Sequence, residues 1–181
     1  MTQLTIYTDS DAQHPLLQTQ DYATIAGQLQ QAGMRFERWQ ADQPLAADAD
    51  NDTILAAYRS EIDRLVAEQG FQSYDVVSMN PDHPQKDAFR QKFLAEHRHS
   101  EDEVRFFVRG HGLFVIHLDD KVYALLCEKD DLISVPANTK HWFDMGPNPV
   151  FTAIRLFNNP EGWVANFTGD DIANKFPLLE N

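Results

Sequence analysis

The stretch EHRHSEDEVRFFVRG, residues 96–110, sets His97, His99, Glu103 and Arg105 close together at the start of an apolar run. Imidazole nitrogens and carboxylates are ligands that divalent transition metals take, and a guanidinium is the group that holds an oxyanion. On an extended backbone, residues two apart share a face. His97 and His99 would then face the same way. In EVRFFVRG, one face would carry Glu103, Arg105, Phe107 and Arg109, and the other Val104, Phe106 and Val108. A carboxylate and a guanidinium turned into a barrel interior each need compensation. A divalent ion held by imidazoles and one carboxylate would compensate the first, and an anionic ligand beside it the second. Taken alone, the same residues read more simply as a solvated polar turn, which is what charge clusters usually are. Their order adds weight: the run closes on Gly110, and His141 follows further along in ISVPANTKHWF, after the strand-ending Pro136.

The elements that must position these groups change character along the chain. Before residue 96, short strands and helices mix. LTIYT and MRFERWQ read as strands, and DYATIAGQLQQAG as a helix stopped by Gly33. DNDTILAAYRSEIDRLVAEQG reads as one long helix, capped by Asp52 and ended by Gly70, with Ile54, Leu55, Tyr58, Ile62, Leu65 and Val66 on one face. YDVVSM returns to strand, and PQKDAFRQKFLAEH is helical with Phe89 and Phe93 one turn apart. From Glu103 onward EVRFFVRG, GLFVIHL, KVYALLCE, LISVP, HWFDM and FTAIRLF follow as separate short strands, with LDDK and MGPNP as turns. Many short strands at regular spacing predict an antiparallel sandwich or barrel. The tail predicts a loop, an extended piece and a short helix. We expect one domain: an α/β flank over 1–95, a barrel core over 96–160 and a tail over 161–181.

Composition narrows the partners. A chain of 181 residues with 43% hydrophobic and 24% charged residues buries a real core. Its net charge of −13 repels nucleic acid and anionic membrane, and no basic stripe overrides that. The one cysteine, Cys127 in YALLCE, permits no intrachain disulfide and reads as a small core residue. MTQLTIYTDSD has neither the basic start nor the apolar core of a signal peptide, and no apolar run approaches the ~20 residues that span a bilayer. A cytoplasmic protein is the expectation, and its high negative charge favours a monomer.

The arrangement H-x-H-x3-E-x6-G followed by His141 resembles the two-part signature of the cupin superfamily. That resemblance implies a mainly β fold, a cupin (double-stranded β-helix or jelly-roll) barrel with flanking α-helices. It also implies that His97, His99, Glu103 and His141 hold one metal. Asn138 stands where cupins commonly have glycine and Met145 where they have asparagine, departures that concern turns and not ligands. RFERW, EHRHSEDEVRFFVRG, ISVPANTKHWFDMG and IRLFNNPEGWVANFTGDDIA, taken together, resemble the bacterial acireductone dioxygenases of methionine salvage. That resemblance implies a dioxygenase that cleaves 1,2-dihydroxy-3-keto-5-methylthiopentene with O2. With Fe(II) the expected products are formate and 2-keto-4-methylthiobutyrate; with Ni(II), carbon monoxide, formate and 3-methylthiopropionate. The ligand types suit either metal. A cupin of another reaction type, such as a sugar-phosphate isomerase or a different oxygenase, and a metal-binding cupin without chemistry are the alternatives.

Metal and Glu103 together leave one formal positive charge and Arg105 adds another, so a dianionic substrate brings the sum to zero. Arg105 is therefore the expected holder of the substrate dianion. Phe93, Trp142, Phe143 and Trp163 are candidates to wall the cavity, each with packing as its plainer role. Arg155 is a second buried-arginine candidate, for substrate or for a salt bridge. Glu96 and Asp102 flank the ligands, and either orients an imidazole, aids metal entry or is simply a solvated acid. His14, His83, His111 and His117 lack ligand spacing and read as surface or turn residues.

Overall fold

The structure, a computed structural model, describes residues 1–180. The chain begins with β1 (Gln3–Thr8), β2 (Leu17–Thr19), α1 (Tyr22–Gln31), β3 (Arg35–Arg38), α2 (Asn51–Ala57), α3 (Arg59–Gln69), β4 (Ser73–Met79) and α4 (Lys86–Leu94). Then come β5 (His97–Arg98), β6 (Glu103–Leu118), β7 (Lys121–Glu128), β8 (Asp131–Val135), β9 (Lys140–Asp144) and β10 (Phe151–Phe157). A 3-10 turn over Pro160–Trp163, β11 (Asn166–Phe167) and a second 3-10 turn over Ile172–Lys175 follow.

The organising strand is β6. Its first half pairs antiparallel with β8 and β10, its second half with β7 and β9. The two strands expected from EVRFFVRG and GLFVIHL are thus one strand that passes from one sheet to the other. The passage is at Gly110, whose φ of +73° an L residue rarely adopts. A Cβ there would lie 1.8 Å from the Val150 carbonyl oxygen, so the close approach of the two chains also demands glycine. Strands from the first part of the chain extend both sheets: β1 pairs with β7, β3 with β8 and β4 with β10.

A second irregularity changes which side chains face inward. Opposite β10, the register jumps so that Ala153 faces Phe107 and Thr152 faces Arg109, leaving Val108 as an extra residue. Such a bulge breaks the two-residue alternation. Phe107 stays in the interior with Phe114, Phe143 and Phe151, but Arg109 turns away and donates to the Ala49 carbonyl at 3.2 Å. The expected shared face of Glu103, Arg105, Phe107 and Arg109 therefore ends at Phe107. Val104, Phe106 and Val108 pack on Ile54, Tyr58, Ile62 and Leu65 of the helical layer.

The long helix expected over residues 50–70 is two helices. Tyr58, with φ −109° and ψ 17°, interrupts it, and its buried ring meets Phe106 edge-on at 4.8 Å. Asp50, rather than Asp52, caps α2 by accepting from the Thr53 N–H, while Gly70 ends α3 in the left-handed conformation. Asn138, at the position where glycine was expected of a cupin, takes φ +62°, a conformation that asparagine tolerates better than other non-glycine residues.

Candidate active site

Four side chains converge at one end of the barrel because three strands run side by side there. His97 of β5 lies directly across from His141 of β9, and β9 pairs with the second half of β6. Glu103 opens β6, and His99 follows His97 by the two residues that keep both on one side. All four are nearly buried: His97 at 3% exposure, His99 at 7%, Glu103 at 4% and His141 at 2%. The ligand atoms of the three histidines lie within 4.8 Å of one another.

Backbone carbonyls fix the tautomers. The Nδ1 atoms of His97, His99 and His141 lie 2.6, 3.3 and 2.8 Å from the carbonyl oxygens of Ala95, Val164 and Thr139. A carbonyl only accepts, so each Nδ1 carries its proton and each Nε2 is left with a lone pair when the ring is neutral. Two of these Nε2 atoms face one carboxylate oxygen: Glu103 Oε2 is 2.7 Å from that of His141 and 3.1 Å from that of His99. Lone pairs at such distances repel unless a proton or a cation stands between them. A divalent ion meets that requirement for all three imidazoles and the carboxylate at once, and the donor set of three nitrogens and one oxygen suits a first-row transition metal.

The ionisation states of His97 and Glu103 agree. Burial and the neighbouring His141 push the His97 pKa down to about 4, so its ring is neutral at pH 7. Burial alone would raise the Glu103 carboxyl, but the charge of Arg105 and contact with the His141 and His99 imidazoles outweigh it and hold it well below the usual carboxylate range. Burial likewise lowers His141, and contact with Glu103 more than reverses this. Arg105 Nε donates to Glu103 Oε1 at 2.8 Å, and its guanidinium lies over the rings of Phe143 at 5.7 Å and Trp163 at 5.5 Å.

These groups open onto a cavity of about 200 Å³ that Phe93, Phe143, Trp163, Arg155 and Lys92 also line. A larger hollow of about 720 Å³ lies between the loop 39–47 and Lys129–Asp130, but among the described residues it gathers no cluster of three ligating side chains. Chemistry, not size, picks the smaller one. Arg155 makes the salt bridge that was the plainer of its two expected roles. It holds Asp75 through both carboxylate oxygens, at 2.8 and 2.6 Å, and stacks on Trp163 at 4.9 Å at the cavity wall. The Trp163 Nε1 is buried with no hydrogen-bond partner among the described residues.

Other expectations sort differently. Trp142 points to the opposite side of β9, into a cluster with Tyr7 and Phe176, because neighbouring strand residues alternate faces. Glu96 is 1% exposed and touches no ligand ring: its oxygens take the His117 Nδ1 and the Thr168 hydroxyl, each at 2.8 Å. His117 is accordingly no surface or turn residue; it lies within β6 and also reaches Asp9 at 3.3 Å. Asp102 accepts from the Ala137 N–H at 2.8 Å and makes no hydrogen bond to an imidazole among the described residues. Two cavity neighbours escaped the sequence reading. Asp75 becomes visible only once β4 is known to pair with β10, which sets it across from Arg155. Lys92 adjoins Phe93 on α4 without any motif of its own.

No helix among the described residues is long and apolar enough to cross a membrane. Residues 3–165 match the model of the ARD/ARD' family. The acireductone dioxygenase of Serratia proteamaculans is 61% identical over 180 residues, covering 99% of this chain and 100% of that protein. That of Pseudomonas aeruginosa is 60% identical over 181 residues, covering both chains in full. In three dimensions, the acireductone dioxygenase of Bacillus anthracis with a cadmium ion in its active center superimposes with a TM-score of 0.79 at 31% identity, over 92% of this chain and 98% of that one. The mainly β cupin barrel with flanking helices is thus the architecture of a known enzyme family, and this chain belongs to the ARD/ARD' family.

Proposed function

We propose that this chain is a metal-dependent acireductone dioxygenase, working as one domain, in which His97, His99, Glu103 and His141 hold a single Fe(II) or Ni(II). The observation that carries the reading is the set of three Nδ1–H groups tied to carbonyls, which leaves three Nε2 lone pairs gathered on a carboxylate kept ionised. Kinship with full-length relatives named acireductone dioxygenase supplies the substrate, and that activity makes a small anionic molecule and O2 its partners.

An ion held there would supply the Lewis-acid and redox chemistry of the reaction. The protein's own residues do the rest. Arg105 spends one N–H on Glu103, and its remaining N–H groups are available to the oxygens of the substrate dianion. Because its charge sits in a buried cavity, it favours the doubly ionised, electron-rich form of the substrate over the neutral one. Phe93, Phe143 and Trp163 exclude water and offer apolar surface to a thioether chain. The Trp163 Nε1–H is a spare donor for a substrate oxygen. Arg155, neutralised by Asp75, props the Trp163 ring.

The test is reconstitution. The stripped protein is loaded separately with Fe(II) or Ni(II), given acireductone and O2, and its products analysed. Formate with 2-keto-4-methylthiobutyrate from the iron form, and carbon monoxide, formate and 3-methylthiopropionate from the nickel form, are expected. Stoichiometric metal binding without O2 uptake in either form would overturn the dioxygenase reading and leave a metal-binding cupin.

A further inference from the structure

Three cationic side chains line the cavity: Lys92, Arg105 and Arg155. Two are already engaged. Arg105 donates to Glu103, and Arg155 grips both oxygens of Asp75. Lys92, exposed in the last turn of α4, makes no hydrogen bond or ion pair among the described residues. We propose that Lys92 is the capture residue of this site, its free ammonium at the cavity mouth drawing in the anionic substrate that Arg105 then holds.

The need for such a group follows from the charge of the chain. At −13, the protein as a whole repels an anion. Salt confines that field to roughly 8 Å at physiological ionic strength, so a local cation at the entrance can reverse it. The arginines do this poorly, because Asp75 cancels Arg155 and Arg105 is buried inside the cavity. Lys92 is uncancelled, and Phe93 beside it turns the adjoining surface of α4 into the cavity wall. A lysine in a last turn also complements the helix dipole. That structural role acts on the folding of α4 and not on the charge of a ligand, which separates the two experimentally.

The inference rests on the dioxygenase reading for the identity of the substrate, so its test uses two probes on the full-length, metal-loaded protein. The first is kcat/KM for acireductone across ionic strengths. The second is binding of oxalate, a small chelating dianion, to the Co(II)-loaded protein, read from the visible spectrum without turnover. Lys92→Gln should lower both by about fivefold at low ionic strength, Lys92→Glu should lower them further, and Lys92→Arg should restore them. The differences should vanish near 0.5 M salt, where screening is complete within about 4 Å. Lys121→Gln, which changes the net charge equally but at the start of β7, should behave as the unmodified protein. Lys92→Gln within twofold on both probes at low salt overturns the inference, as does a deficit that persists at high salt or is matched by Lys121→Gln. If oxalate capture depends on Lys92 but no acireductone is oxidised, the inference stands and the dioxygenase reading falls. If acireductone is oxidised and Lys92→Gln matches the unmodified protein, the reverse holds.

Discussion

Glu103 and Asp131 are both buried carboxylates at the first residue of a strand, at 4% and 0% exposure, yet the protein treats them in opposite ways. Burial raises the pKa of each. Glu103 nevertheless ends well below the ordinary range, while Asp131 ends above it. The difference lies in the partners. Glu103 has the Arg105 guanidinium, itself only 11% exposed, and two imidazole nitrogens on its second oxygen. Asp131 has two neutral donors, the Thr2 hydroxyl and the Glu128 N–H, and a single cation, Arg38, whose side chain is 47% exposed and so is well screened. A buried cation holds a buried carboxylate ionised, whereas neutral donors and a wet arginine do not fully offset desolvation. One acid is kept charged among the imidazoles, as the proposed metal site requires. The other closes a structural junction between the start of the chain, β3 and the β7–β8 turn.

Five experiments would break or sharpen that contrast. Glu103→Ala should weaken metal retention at least about a hundredfold, measured by metal content after dialysis against a weak chelator, since even partners of ligands are worth about 10–100-fold. Arg105→Ala should retain metal and lose about 10²–10³ in kcat; turnover at the original rate would remove Arg105 from the substrate-holding role. Asp131→Ala should keep metal stoichiometry while lowering stability by about 2 kcal/mol in urea melts, because the buried Thr2 hydroxyl and Glu128 N–H lose their acceptor.

The pH dependence of the metal-free protein should then separate the two acids by sign. Glu103, with a folded pKa below 4.5, contributes stability that is complete above pH 4.5 and is lost as pH falls through the folded value. Asp131, with a folded pKa above 3.8, is a cost when ionised, and the cost is relieved as pH falls through its folded value. Glu103→Gln should therefore flatten the acid limb of the stability curve and Asp131→Asn should steepen it. Parallel shifts in the two variants would mean that partner charge does not decide the matter. The smallest expected effect belongs to Thr2→Ala, about 1 kcal/mol for one of the hydrogen bonds on Asp131, read from the same melts.

Much of the site was legible in the one-dimensional pattern. A two-residue strand period put His97 and His99 on one side, and the same period linked Glu103 to Arg105, because these relations are local and need only an extended backbone. Gly110, Gly70 and the LDDK turn were legible for a like reason: a left-handed φ or a tight reversal leaves its mark on the residue type at the turn itself. What the alternation could not carry past was the bulge at Val108, which sends Arg109 to the outside, since an extra residue shows only when the facing strand is known. The break at Tyr58 was hidden in the same way: the helical face continues across it in sequence, and the ring's packing on Phe106 comes from a strand far along the chain.

Other assignments belong to tertiary structure alone. That Arg155 meets Asp75, that Glu96 turns to His117 and not to a ligand ring, and that Lys92 lines the cavity with no partner among the described residues all depend on which strands and helices become neighbours. So does the state of each acid. The sequence alone determined which residues were able to ligate, to reverse the chain and to share a face, through covalent connectivity and backbone geometry. Which carboxylate stays charged was decided only by folding, because electrostatic environment is set by burial and by partners brought together from distant parts of the chain.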